Sequence, residues 1–251
     1  MNWIWFALAG GVAQLVDGTL GMGFGLTSAT LLVTLGTSAA VASAAVHAAE
    51  IGTTLVSGVS HWHRENIDPH ILKQIAIPGG IGAFAGATFL SNIDLSNGKI
   101  FVSTLLLLLG FALLYRQIFK AESQVAMTEI TNPTYLRFLG GIGGFIDASG
   151  GGGWGPVVTP TLMATTATSP RKIIGTVSAA EFIVAVCASA GFLINIHKLD
   201  INWGVVGGLA LGGALMAPIA ARFVSKVQHR RLGIIIAVAI IVLNGSRLIG
   251  F

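Results

Sequence analysis

Apolar residues run along this chain in long blocks, and most of the charges gather in the short stretches between them. A lipid-spanning helix needs about 20 predominantly apolar residues. Six blocks meet that length: 38–62, 71–90, 100–119, 173–196, 203–221 and 232–250. Two further stretches, 3–36 and 135–166, are too long for one crossing and barely long enough for two, and each has a glycine-rich break at its middle. The connections 63–68, 92–99, 169–172, 197–200 and 225–231 are short and carry charge. The longest connection, 120–134, has Glu122, Glu129 and an Asn132-Pro133 turn signal, and reads as a linker between a first repeat (1–119) and a second (135–251) within one membrane domain.

The two breaks are copies of each other. Gly10-Gly11, Asp17, Gly21, Gly23 and Gly25 recur as Gly140-Gly141, Asp147, Gly151, Gly153 and Gly155 at a constant offset of 130, with Thr19 on Ser149 and Phe24 on Trp154. Ala48-Ala49-Glu50 returns as Ala179-Ala180-Glu181 at 131, and Asp68 as Asp200 at 132. Acid matching acid at nearly one offset separates this pattern from the chance matches of a Gly/Ala-rich chain. Irregular backbone at membrane depth occurs only where protein, water or a ligand satisfies it, so each break marks a lined cavity.

Composition sets the solvent. With 53% apolar and 10% charged residues, against roughly 25% charged in soluble domains, the chain is an all-α integral membrane protein, multi-pass, of the cell membrane. Its net charge of +4 is spread over segment ends, which excludes a nucleic-acid stripe and points to topology. The start of the chain has no Lys or Arg ahead of its apolar run and is expected to be a first membrane segment rather than a signal peptide. If each broken stretch crosses once, giving eight spans, the basic residues divide seven against seven. If each is a re-entrant helical hairpin beside three full transmembrane helices, the halves are inverted repeats. The 14 Lys and Arg then divide eleven against three (Lys99, Lys198, Arg247). The positive-inside rule favours the inverted arrangement, with both termini outside and the 120–134 linker in the cytoplasm.

Helices restarting after the breaks would aim free N–H groups and positive dipole ends at a common centre, which suits a small anion. The substrate-binding set expected on this basis is Asp17, Thr19, Gly21, Gly23, Gly25, Asp147, Ser149, Gly151, Gly152, Gly153 and Gly155. Thr27 and Thr159 are additional hydroxyl donors, although Ser and Thr in membrane helices commonly bond their own backbone. Asp17 and Asp147 have a competing role as caps on the break. Glu50 and Glu181 lie within apolar helices, where acids are costly, and His47 is one turn before Glu50; His47, Glu50 and Glu181 are the proton-coupling candidates, against a role in holding helices together. His61, His63 and His70 match no zinc spacing and read as interfacial. The lone Cys187 excludes a disulfide framework, no Walker or dinucleotide motif is present, and neither metal nor cofactor is expected.

The motifs Asp-x-x-x-Gly-x-Gly-x-Gly from Asp17, Asp-Ala-Ser-Gly-Gly-Gly-Gly-Trp-Gly from Asp147, and Ala48-Ala49-Glu50-Ile51-Gly52-Thr53-Thr54-Leu55-Val56-Ser57-Gly58 resemble those of the TauE/SafE permeases along the whole chain. That resemblance implies a secondary transporter, an exporter of sulfite and small organosulfur anions in a prokaryotic inner membrane. Many members carry a proline early in both return helices; here Pro156 and Pro160 stand in the second copy, with Leu26 and Thr30 in the first. A passive anion channel and an intramembrane enzyme are the alternatives, the latter lacking the Gly-x-Gly that precedes the aspartates of intramembrane aspartyl proteases. The expected partners are the anion and the lipid bilayer; a homodimer is compatible with the sequence.

Overall fold

The computed structural model describes residues 3–119, 132–195, 197, 199–223 and 229–249, so most of the expected 120–134 linker lies outside the described residues. Among these residues ten α-helices follow in order: α1 Trp3–Leu20, α2 Phe24–Thr34, α3 Ala39–Trp62, α4 Pro69–Ser91, α5 Leu95–Phe119, α6 Pro133–Gly150, α7 Trp154–Thr165, α8 Pro170–Leu193, α9 Trp203–Phe223 and α10 His229–Leu248. No strand occurs among the described residues.

Helix starts follow local chemistry. The Asp68 carboxylate accepts from the His70 and Ile71 amides at 2.9 and 3.1 Å, with Pro69 at the first helical position where its missing N–H costs nothing. Asn132 caps α6 through the Thr134 amide at 2.9 Å, and Pro133 repeats the device. The two long blocks each resolve into a helix pair, separated at 21–23 and 151–153. Among the described residues, six helices are long and apolar enough to cross a membrane: α1, α3, α4, α5, α8 and α9. This set differs from the six sequence blocks. Helix α1 stays continuous through Gly10-Gly11 and Asp17, and its 18 residues span roughly 27 Å. The apolar part described within α10, Gly233–Ser246, is shorter.

Large apolar side chains cover the exterior, and ionisable groups lie within the interior. Trp5, Leu8, Val12, Ile77, Ile81, Phe111, Leu215 and Ile235 face outward, while Asp17, His47, Glu50, Asp147 and Glu181 are buried. Lipid is as apolar as leucine, so the helices are held by close packing through small residues. A Cβ on Gly10 would stand 2.7 Å from the Leu209 Cα, and one on Gly140 at 2.9 Å from the Ile75 Cα.

Contacts along these seams give helix directions. Phe6 meets Gly208, Gly10 meets Leu209 and Gly18 meets Ala220, so α1 runs parallel to α9. In the same sense Ile75 meets Gly140, Gly79 meets Gly144 and Gly86 meets Phe145, aligning α4 with α6. Gly80 meets Cys187, Ala87 meets Gly191, and the Asn195 amide donates to the Ser91 hydroxyl at 3.0 Å, so α4 is parallel to α8 also. Helices α5 and α10 oppose each other: Gly110 faces Ile240, Gln117 faces Gly233 and Leu107 faces Gly245.

Candidate functional site

Both breaks owe their shape to glycine. Gly21 and Gly151 close the first arms in the left-handed region at φ 68° and 79°, and the Gly151 and Gly152 amides donate back to the Asp147 carbonyl at 2.7 and 3.1 Å. The breaks then diverge by one residue: Gly23 carries the second positive φ in the first (147°), and Gly152 in the other (154°). Gly153, although paired with Gly23 by sequence offset, has φ −124°. That angle is open to any residue, so the left-handed requirement sits at Gly152.

The breaks touch. A Cβ on Gly25 would lie 2.6 Å from the Gly152 Cα, and one on Gly155 would lie 2.9 Å from the Met22 Cβ. Residues 25 and 155, and 22 and 152, are each 130 apart, so these are the same contact made twice.

Asp147 is the hub. Its Oδ1 accepts from the Gly153 and Trp154 amides at 2.7 and 3.0 Å, capping the start of α7, and its Oδ2 lies 3.1 Å from His47 Nε2 on α3. Asp17 is buried at the matching place before the first break. The capping role expected of these acids is therefore present at Asp147, where it uses only one oxygen. The expected His47 and Glu50 pair is the looser contact, with Nε2 3.8 Å from Glu50 Oε2.

The other imidazole nitrogen settles the hydrogen count. His47 Nδ1 faces the Ser43 carbonyl at 2.8 Å, while the Ser43 hydroxyl, 3.4 Å away, donates its own hydrogen to the Ala148 carbonyl at 2.7 Å. Carbonyls only accept, so Nδ1 carries a hydrogen. The 3.1 Å contact to Asp147 then needs one further proton, on Nε2 or on Oδ2. One proton is shared between residues from opposite halves of the chain.

Glu50 is fully buried, and both its carboxyl oxygens lack a hydrogen-bond partner. Oε1 points at the junction, 3.1 Å from where a Gly25 Cβ would be. Glu181 is also buried, and one turn before it Ser178 binds the Ser57 hydroxyl at 2.6 Å. Thr19, Thr27 and Ser149 bond carbonyls of their own helices. Thr159 instead donates to the Gly21 carbonyl of the other break. His61, expected at an interface, is buried with its Nδ1 3.2 Å from Asn66 Nδ2, whereas neighbouring Trp62 is exposed.

His47, Glu50 and Asp147 present ligand-type atoms within 4.8 Å of one another, a set that suits a cation. The contact between His47 and Asp147, at 3.1 Å, is already of the length that a shared proton bridges. Two groups escaped the sequence reading. Ser43 lies one turn before His47, the spacing that would have exposed it. Arg116 is placed by the fold with its guanidinium 2.8 Å from Met163 Sδ and 3.9 Å from Met22 Sδ.

Apolar helices enclosing a buried acid and histidine centre define a multi-pass membrane protein of the transporter class. The chain belongs to the TauE/SafE family: the model described as "Sulfite exporter TauE/SafE" matches residues 6–246. It is similar to the "Probable membrane transporter protein YtnM" of Bacillus subtilis (strain 168), 46% identical over 245 residues that cover 97% of this chain and 82% of that protein. No solved structure matches the chain.

Proposed function

We propose that the chain is a secondary transporter that exports small anions, sulfite or organosulfur anions among them, with proton coupling through His47, Glu50 and Glu181. Its two halves form inverted repeats, each with three transmembrane helices and a re-entrant hairpin. Helix direction supports this: α4 is parallel to both α6 and α8, so the segment between those two must return to the side where α6 began. The direction of α1 alongside α9 is consistent with the same device in the first half.

The observation that carries the coupling is the bond between His47 and Asp147. The α7 N-terminus is where an anion would bind, and in this structure the Asp147 carboxylate is seated there. Substrate and carboxylate compete for the same two amides. Protonating Asp147 from His47 turns it into a poorer acceptor and frees those amides, so an anion and a proton travel together. A doubly charged anion accompanied by one proton still carries negative charge outward. An interior-negative potential favours that by about 2.3 kcal/mol per charge per 100 mV. Glu50, unpartnered and beside the junction, is the group best placed to receive the proton next.

The test is flux in proteoliposomes under an imposed pH gradient. Accumulation of radiolabelled sulfite against its own gradient, following the proton, is expected. Downhill flux alone would replace the carrier with a passive channel, and absence of flux would reopen an enzymatic role.

A further inference from the structure

We infer that Arg116 receives the substrate anion on one side of the membrane; this rests on the anion-transport reading above. Arg116 lies in the last turn of α5, half-buried, and reaches the first break at Met22 and the end of α7 at Met163. Thioether sulfurs are weak acceptors, and a guanidinium carries five N–H donors in a planar fork matched to an oxyanion. Among the described residues no carboxylate pairs with it. A fixed positive charge with soft, weak partners beside the break is a receiving group for a small oxyanion such as a sulfite or a sulfonate. The four carboxyl groups deeper in the core would repel that ligand, so a cation is needed to draw it inward.

Gly110 faces Ile240 and Ile241 where α5 and α10 pass each other in opposite directions. Arg116 lies six residues beyond Gly110. At about 1.5 Å per residue, it stands roughly 9 Å from that crossing, toward one face.

The experiment measures initial rates of radiolabelled sulfite entry into inside-out and right-side-out membrane vesicles. Arg116→Gln should raise the half-saturation concentration about tenfold or more in inside-out vesicles, the loss expected for a charge-assisted fork, with maximal rate within about twofold. Right-side-out vesicles should keep their half-saturation concentration and lose maximal rate in the same proportion, because a reversible carrier has one ratio of the two from both faces. Arg116→Lys keeps the charge and loses the fork, so an increase of about threefold is expected on the same face. A merely structural arginine would not produce a sided effect. Equal changes in half-saturation on both faces, or none, overturn the assignment; if Arg116→Gln does not reach the membrane, a wild-type half-saturation for Arg116→Lys overturns it as well. Wild-type vesicles without saturable sulfite entry overturn the anion reading itself, and this one with it.

Discussion

Asp147→Asn separates the two jobs of the hub residue. The asparagine carbonyl can replace Oδ1 as acceptor for the Gly153 and Trp154 amides, while its NH2 group faces His47 Nε2 in place of Oδ2. With Nδ1 already protonated toward Ser43, a bare Nε2 accepts that NH2 and every local hydrogen bond is kept. Only charge assistance is lost, at a cost of about 1–2 kcal/mol. Asp147→Ala leaves two buried N–H donors and Nε2 unmet, on the order of 3–9 kcal/mol at about 1–3 kcal/mol per group. Thermal unfolding in detergent should therefore place the asparagine variant near wild type and the alanine variant well below it. For transport the asparagine acts as a permanently neutral Asp147. Sulfite counterflow without a pH gradient should persist, while accumulation driven by a pH gradient should disappear and the dependence of exchange on pH should flatten. Wild-type accumulation by Asp147→Asn would refute both the shared proton and the competition for the α7 amides.

Further outcomes follow from the same geometry. Glu50→Gln should keep anion binding and lose pH-driven flux, with Glu181→Gln milder; pH-gradient assays on matched proteoliposomes compare them, and normal driven flux in Glu50→Gln returns that acid to a bracing role. Gly152→Val, at φ 154° and against the Gly25 and Leu26 backbone, should abolish flux, whereas Gly207→Ala, with open space around it, should leave flux unchanged and stability raised by about 0.5–1 kcal/mol. An active Gly152→Val protein, measured by sulfite uptake at equal membrane abundance, counts against the junction as the site. A cysteine at Ser123, with Cys187 replaced, should resist a membrane-impermeant thiol reagent in intact cells. Ready labelling there reverses the orientation.

The breaks were legible because helix-incompatible residues inside apolar blocks allow few structures, and the acid pairs Asp17/Asp147 and Glu50/Glu181 stood out because charge in lipid is costly. The partnership of His47 with Asp147 was not legible. The two residues are 100 apart in the chain, and local spacing pointed His47 toward Glu50, three positions away. Arg116 was read as a topology marker because composition cannot distinguish a guanidinium in a headgroup layer from one folded back onto Met22. The fine structure of the breaks was hidden for another reason: four consecutive glycines carry no record of which one bears the positive φ, and aligning Gly153 with Gly23 put it one residue late. His61 looked interfacial from its neighbours, yet α3 turns it inward while Trp62 faces out.

The meeting of Gly25 with Gly152 and of Gly155 with Met22 has a mechanical consequence. Packed side chains resist relative motion because each must climb out of the hollow its neighbour provides. Where backbone rests on backbone there is little to unmesh, so the joint between the halves resembles a smooth bearing more than a gear. Helices α5 and α10, which interdigitate through Ile240, Ile241 and Leu107, supply the toothed surface that such a bearing lacks. Stiffness in this protein is therefore set at the periphery of the bundle, and sliding is cheapest at its chemical centre.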